Sequence, residues 1–218
     1  MSYIRDTAIV LKSESFREHD RMLTLFGKTH GKLRAVARGA DRPQAKALGH
    51  LEPLSEVEVM IARGQSFDKL AVVRLVVAPS VRERLSVIAI AGSFAHLVDR
   101  LTEHQDPDER VYDLLKEVLT IGEDCLQDPS IERSRLLFST ASLRLMDILG
   151  YGPAFEEEHH DAGRLIKFLR TRLLKEALSI TAPSQTFVSA SQLIERALEE
   201  TPLLVAPHGP VTIAALLG

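Results

Sequence analysis

Gly31-Lys32-Leu33-Arg34-Ala35-Val36-Ala37-Arg38-Gly39-Ala40 alternates small apolar side chains with cations. A period of two is that of a β-strand, so Leu33, Ala35 and Ala37 are expected to point inward. Lys32, Arg34 and Arg38 then share the outer face with Val36. Same-face neighbours on a strand lie about 6.6 Å apart, a spacing suited to successive phosphates of an extended single strand. Gly39, Asp41, Pro43 and Gly49 keep the following segment irregular, and Arg42 and Lys46 carry the positive charge into it.

Moving outward, Lys28-Thr29-His30-Gly31 separates this strand from Arg21–Gly27, and the glycine can supply the positive φ of a hairpin turn. Thr7–Lys12 holds a short apolar run. Ser55–Ala62 alternates cleanly, and Lys69–Ala78 is rich in Val and Leu on both faces, which predicts a strand covered on both sides. Five short strands in under 80 residues point to a small barrel or sandwich.

At Pro79 the period changes. Ser80-Val81-Arg82-Glu83 has capping-box spacing, and Leu85, Ile88, Ala91, Ala95, Val98 and Leu101 form a helical stripe. Asp106-Pro107 predicts the start of a second helix, with Asp106 as its N-cap, and Asp128-Pro129 that of a third, ending near Gly150. A fourth is expected over Ala162–Leu178, and a short fifth capped by Ser189-Ala190-Ser191. The chain therefore divides near 79/80 into a β module and a helical bundle.

The net charge of −3 is uneven. Through Ala78 there are 13 cations against 9 acids; afterwards there are 14 against 21. Between Arg21 and Lys46 the cations are Arg21, Lys28, Lys32, Arg34, Arg38, Arg42 and Lys46, with Asp41 the one acid. A local field of one sign attracts a polyanion whatever the global charge. The competing arrangement is a solvated face on which Glu56 and Glu58 lie across from Lys32 and Arg34 as cross-strand pairs. Phe16 and Phe67 fall in expected turns, where they could stack bases, while Phe26 belongs to the core.

The longest apolar stretch, Leu85–Val98, is broken by Ser86, Ser93 and His96 and falls short of the roughly 20 residues of a membrane span. No signal peptide is visible at the N-terminus. The single cysteine, Cys125, allows neither an intrachain disulfide nor a Cys-based metal site, and a cytoplasmic location is expected. No phosphate loop, nucleophile elbow or dinucleotide fingerprint is present, and no cofactor is expected.

Three runs together carry a resemblance: Ala8-Ile9-Val10-Leu11-Lys12, His19-Asp20-Arg21-Met22-Leu23-Thr24-Leu25-Phe26, and His30 through Ala40. They resemble the N-terminal module of the RecO recombination mediator family, and Leu149-Gly150-Tyr151-Gly152-Pro153 resembles a segment of that family's helical domain. The resemblance implies an α+β chain: an OB-fold DNA-binding domain over 1–79, then a helical domain over 80–218. It implies a non-enzymatic, nucleoid-associated protein that binds and anneals single-stranded DNA, with double-stranded DNA as a second ligand. It further implies work beside RecR to load a RecA-type recombinase. The family's basic face maps onto Lys32, Arg34, Arg38, Arg42 and Lys46, with Lys28 and Arg21 beside it. A site for the acidic tail of single-stranded-DNA-binding protein maps by position onto Arg133, Arg135, Leu136 and Phe138. Many relatives carry four zinc-binding cysteines after the Gly-Tyr segment; here Ala154–Gly163 has none, so that module is missing.

Two other functions compete. One is a protein-interaction adaptor whose barrel holds a peptide. The other is an HD-type metal phosphohydrolase built on His19-Asp20 and His160-Asp161.

Overall fold

The computed structural model describes residues 2–42, 48–78, 85–124, 131–155, 160–180 and 182–200. Five strands, β1 (Tyr3–Arg17), β2 (Asp20–Gly27), β3 (Gly31–Ala37), β4 (Glu56–Ala62) and β5 (Lys69–Val77), close a barrel in the order β1-β2-β3-β5-β4. This is the five-stranded OB-fold. β1 is much longer than its apolar run because it serves two neighbours. Tyr3–Ile9 pairs with β4 and Ala8–Arg17 with β2, with register shifts at Val10/Lys12 and Ser15/Arg17 that bend it around the barrel. β3 and β5 run parallel and pair through Val36 and Lys69.

The inward half of the period-two expectation for β3 holds, whereas Val36, expected on the outer face, is buried and Arg38 falls in the turn after the strand. Leu33, Ala35 and Ala37 join Ala8, Val10, Leu23 and Leu25 in the barrel core. The β2–β3 turn is set by two glycines. Gly31 sits at φ +64°, and a Cβ there would run into the Asp106 carbonyl. A Cβ on Gly27 would strike the Asp6 carboxylate, which accepts the backbone N–H of His30 at 2.9 Å and that of Thr29 at 3.2 Å.

β5 departs from expectation. Val72, Val76 and Val77 are exposed, so one face of this strand is open to solvent. The inward set Leu70, Val73 and Leu75 alone packs against the core. Its apolar residues reflect strand preference rather than cover on both sides.

Among the described residues six α-helices follow: α1 (Leu85–Leu101), α2 (Glu109–Asp124), α3 (Ile131–Ile148), α4 (His160–Thr171), α5 (Leu174–Leu178) and α6 (Ser184–Glu199). Two compact units result. One takes the described residues within Met1–Ser80 and Val98–Lys116, the other those within Val81–Leu97 and Glu117–Gly218. In the first, Tyr112 Oη donates to Glu56 Oε1 at 2.7 Å and Lys116 Nζ to the same oxygen at 2.8 Å, which fastens α2 to β4. The N-cap of α2 is Asp108, not Asp106. Its carboxylate accepts the Arg110 N–H at 2.9 Å, and the Arg110 guanidinium beside it lowers the carboxyl's pKa.

In the second unit, α3 ends in a Schellman arrangement. Tyr151 N–H bonds the Met146 carbonyl at 2.9 Å, with Gly150 at φ +82°. Arg170 pairs with Asp147 and donates to the Pro153 carbonyl at 3.0 Å, pinning the chain after that turn. The helix expected over Ala162–Leu178 is broken at Arg172-Leu173, because the Leu174 N–H turns to Glu117 Oε1 at 2.6 Å. α6 begins at Ser184, so Ser189–Ser191 lies inside it rather than capping it, and Ala190 and Ser191 are buried. The expected caps at Ser80–Glu83 and Asp128-Pro129, together with Cys125 and the tail after residue 200, lie outside the described residues. Among the described residues, no helix is long and apolar enough to cross a membrane.

Candidate nucleic-acid interface

The strand order removes one arrangement directly. β4 neighbours β1 and β5, not β3, so Glu56 and Glu58 cannot lie across from Lys32 and Arg34. Glu56 is held by Tyr112 and Lys116. Glu58 makes a bidentate pair with Arg74 at 2.7–3.0 Å, which lowers the carboxyl's pKa.

Six of the seven basic residues of Arg21–Lys46 are described, and they separate into two groups. Three are occupied. Lys32 Nζ donates to the Asp99 carbonyl at 2.5 Å and lies 3.5 Å from its carboxylate, with 15% of the side chain exposed. Arg21 bonds Ser13 Oγ at 2.9 Å and Asp41 Oδ1 at 2.9 Å, bracing the segment after β3. Lys28 pairs with Glu109 at 2.9 Å, and that contact raises its pKa.

Arg34, Arg38 and Arg42 form the other group. All are exposed, and none makes an ion pair with a described residue. Arg34 stands on β3, and Arg38 opens the turn that follows it. Arg42 folds back over Gly39, whose added Cβ would meet the Arg42 side chain at 3.5 Å. Gly39 takes φ +65°, and its N–H bonds Asp20 Oδ1 at 2.8 Å. Asp20 of the His19-Asp20 pair is thus a turn-closing acceptor. Lys46 lies outside the described residues.

The β4–β5 turn completes this side of the barrel. Arg63 pairs with Asp68 at 3.1 Å and donates to Gln105 Oε1 at 2.9 Å; the Asp68 carbonyl accepts Val36 N–H at 2.8 Å. Phe67 is thereby held beside β3, where it meets Phe16 edge to face at a centroid distance of 5.2 Å. Arg17 lies 5.0 Å over the Phe16 ring. A hollow of about 270 Å³ runs between Met22, Arg34, Arg63, Phe67 and His104. The sequence marked both phenylalanines but not Arg17 or Arg63. Arg17 adjoins Phe16 in the chain, and that adjacency was the available signal.

The residues mapped on α3 are placed differently. Leu136 and Phe138 are 3% and 1% exposed, interior to the helical unit, and Arg135 is paired with Glu195. Leu136 and Phe138 offer a partner little surface, and the Arg135 guanidinium, though 42% exposed at the side chain, is engaged by Glu195. The side chain of Arg133 lies outside the described residues, as does that of His160. No group of three or more His, Cys, Asp or Glu is placed to hold a metal among the described residues.

The fold defines an OB-barrel protein with a helical continuation. The family model described as Recombination protein O N terminal matches residues 1–78, and that described as Recombination protein O C terminal matches 82–164. The chain belongs to the RecO family. It is 30% identical over 168 residues to the DNA repair protein RecO of Pelotomaculum thermopropionicum, covering 76% of this chain and 62% of that one. It is 36% identical over 152 residues to the DNA repair protein RecO of Geobacter sulfurreducens, covering 69% and 60%. The chain thus spans about six-tenths of the length of these relatives.

Proposed function

We propose that this chain is a non-enzymatic mediator of DNA repair and recombination that binds and anneals single-stranded DNA and helps load a RecA-type recombinase. Residues 1–79 act as the DNA-binding domain and 80–218 as the helical domain. One observation carries the reading. Arg34, Arg38 and Arg42 stand exposed and uncompensated among the described residues, and Arg34 lines one hollow with Phe67, the partner ring of Phe16. OB barrels hold oligonucleotides with the β2–β3 face and with the β1–β2 and β4–β5 loops. Phe67 sits on the β4–β5 loop, while Phe16, expected in a turn, lies at the end of β1. Guanidinium groups grip phosphates without reading sequence, and exposed rings accept any base. Annealing then needs no hydrolysis, because neutralised strands approach and base pairing supplies the drive. RecR and the acidic tail of single-stranded-DNA-binding protein are the protein partners in this reading, and double-stranded DNA is a second ligand. The protein works in the cytoplasm, at the nucleoid.

The test is fluorescence anisotropy with a labelled oligothymidine at several salt concentrations. Replacing Arg34, Arg38 and Arg42 together with Ala should weaken binding at least about tenfold and flatten the log–log salt slope by about 2. Unchanged affinity in a folded triple variant rejects the assignment.

An adaptor function is favoured by one other feature. A hollow of about 680 Å³ on the β4–β5 side is floored by Met60 and Val72 and edged by Arg5, Lys28 and Arg74. A peptide held there would leave the β2–β3 side free, and its binding would respond weakly to salt.

A further inference from the structure

The helical unit is acidic overall, yet Arg164-Leu165-Ile166-Lys167-Phe168-Leu169-Arg170-Thr171-Arg172-Leu173-Leu174-Lys175 holds five cations and no acid. Arg170 is consumed by Asp147, and Leu165, Ile166 and Leu169 are buried. The opposite side of α4 is therefore left to Arg164, Lys167, Phe168 and Thr171, at the three- and four-residue spacing that aligns side chains along a helix. Arg164 and Lys167 are exposed and make no ion pair with a described residue. Phe168 is 39% exposed, and the Arg172 guanidinium lies 5.5 Å over its ring. Arg172 reaches Glu176 only loosely, at 3.8 Å with both side chains more than half exposed. Such a pair is worth little and yields to a stronger anion.

We infer that this stripe on α4 is a second nucleic-acid contact, which holds a strand separate from the one on the barrel. The guanidinium of Arg164 and the ammonium of Lys167, with Arg172 held only loosely by Glu176, match a phosphate backbone. The Arg172–Phe168 stack offers a flat, charged platform to a base. The stripe begins at the last residue matched by the family models, 164, and continues beyond it. Its role rests on the annealing function proposed above: two strands held on one chain meet more often than two strands free in solution.

The experiment uses the full chain, labelled oligothymidine, and a pair of complementary mixed-sequence oligonucleotides whose annealing is followed by energy transfer. The set Arg164→Ala, Lys167→Ala and Arg172→Ala should slow annealing about tenfold and lower the number of strands bound at saturation from two to one. The first strand, on the barrel, should keep its affinity within about twofold. The charge-keeping pair Arg164→Lys and Arg172→Lys should restore most of the annealing. Should the triple variant fail to fold, Lys167→Glu alone, on an exposed side chain, repeats the measurement. Annealing and stoichiometry like those of the unaltered chain overturn the inference. So does loss of binding to a labelled glutamate-rich peptide with DNA behaviour unchanged, which makes the stripe a peptide site. The barrel set Arg34→Ala, Arg38→Ala and Arg42→Ala, run in parallel, separates the two claims. If that set binds normally, the barrel assignment fails, while the helix set still reports on α4 alone.

Discussion

Lys32 Nζ donates to the main-chain carbonyl of Asp99 at 2.5 Å, so a cation on the outer face of β3 bolts the end of α1 to the barrel. Its neighbour on the same face, Arg34, has no such duty among the described residues. Two residues with the same sequence signature thus have different jobs. A charge-assisted bond of this kind contributes about 1.5–3 kcal/mol. Lys32→Met should lower stability to urea by about that amount while oligonucleotide affinity stays within about twofold. A large loss of affinity with stability intact would return Lys32 to the DNA-binding set.

Phe67 is presented by a turn that Arg63, Asp68 and Gly64 hold in place. The Gly64 N–H bonds Asp68 Oδ1 at 3.0 Å. Stacking on one ring is worth about 1–3 kcal/mol per base, so Phe67→Ala should weaken single-strand binding about tenfold without steepening or flattening the salt dependence. The chain has no tryptophan, so Phe67→Trp places a single indole on this face. Its emission should be quenched as an oligonucleotide is added. Emission that does not respond places the bases elsewhere.

Tyr112 is buried, and both burial and its bond to Glu56 push its hydroxyl pKa well above the ordinary 10.0. The sign of the effect follows from which state keeps the proton. Below pH 10.0 both folded and unfolded chains hold it. Above that value the unfolded chain releases it first, so stability falls as pH rises towards the folded pKa. Tyr112→Phe should cost about 1.5 kcal/mol near neutral pH and make the alkaline decline shallower. Urea titrations on either side of pH 10.0 measure both. An unchanged alkaline slope would mean that Tyr112 does not govern it.

The barrel was legible because its signal is local. Leu33, Ala35 and Ala37 alternate with cations, and Gly31 and Gly39 fall where the backbone needs positive φ. The fates of the cations were not legible, because they depend on residues far away in sequence. Asp99 is 67 positions from Lys32, and nothing near Lys32 announces it. β5 misled because valine suits a strand whether or not its outer face is covered. Leu136 and Phe138 are mapped on α3 by position alone, and position along a helix does not say which side faces inward; both are interior.

Val36 and Lys69 are the pair through which β3 meets β5, whereas β1 and β2 share a long ladder. Parting the wall at that narrow joint breaks little, and parting it anywhere else breaks much. Val36 stands two residues from Arg34 and two from Arg38 along the chain. In the proposed function, these guanidiniums flank the seam of the cylinder, and a strand gripped there lies beside the joint that opens at least cost.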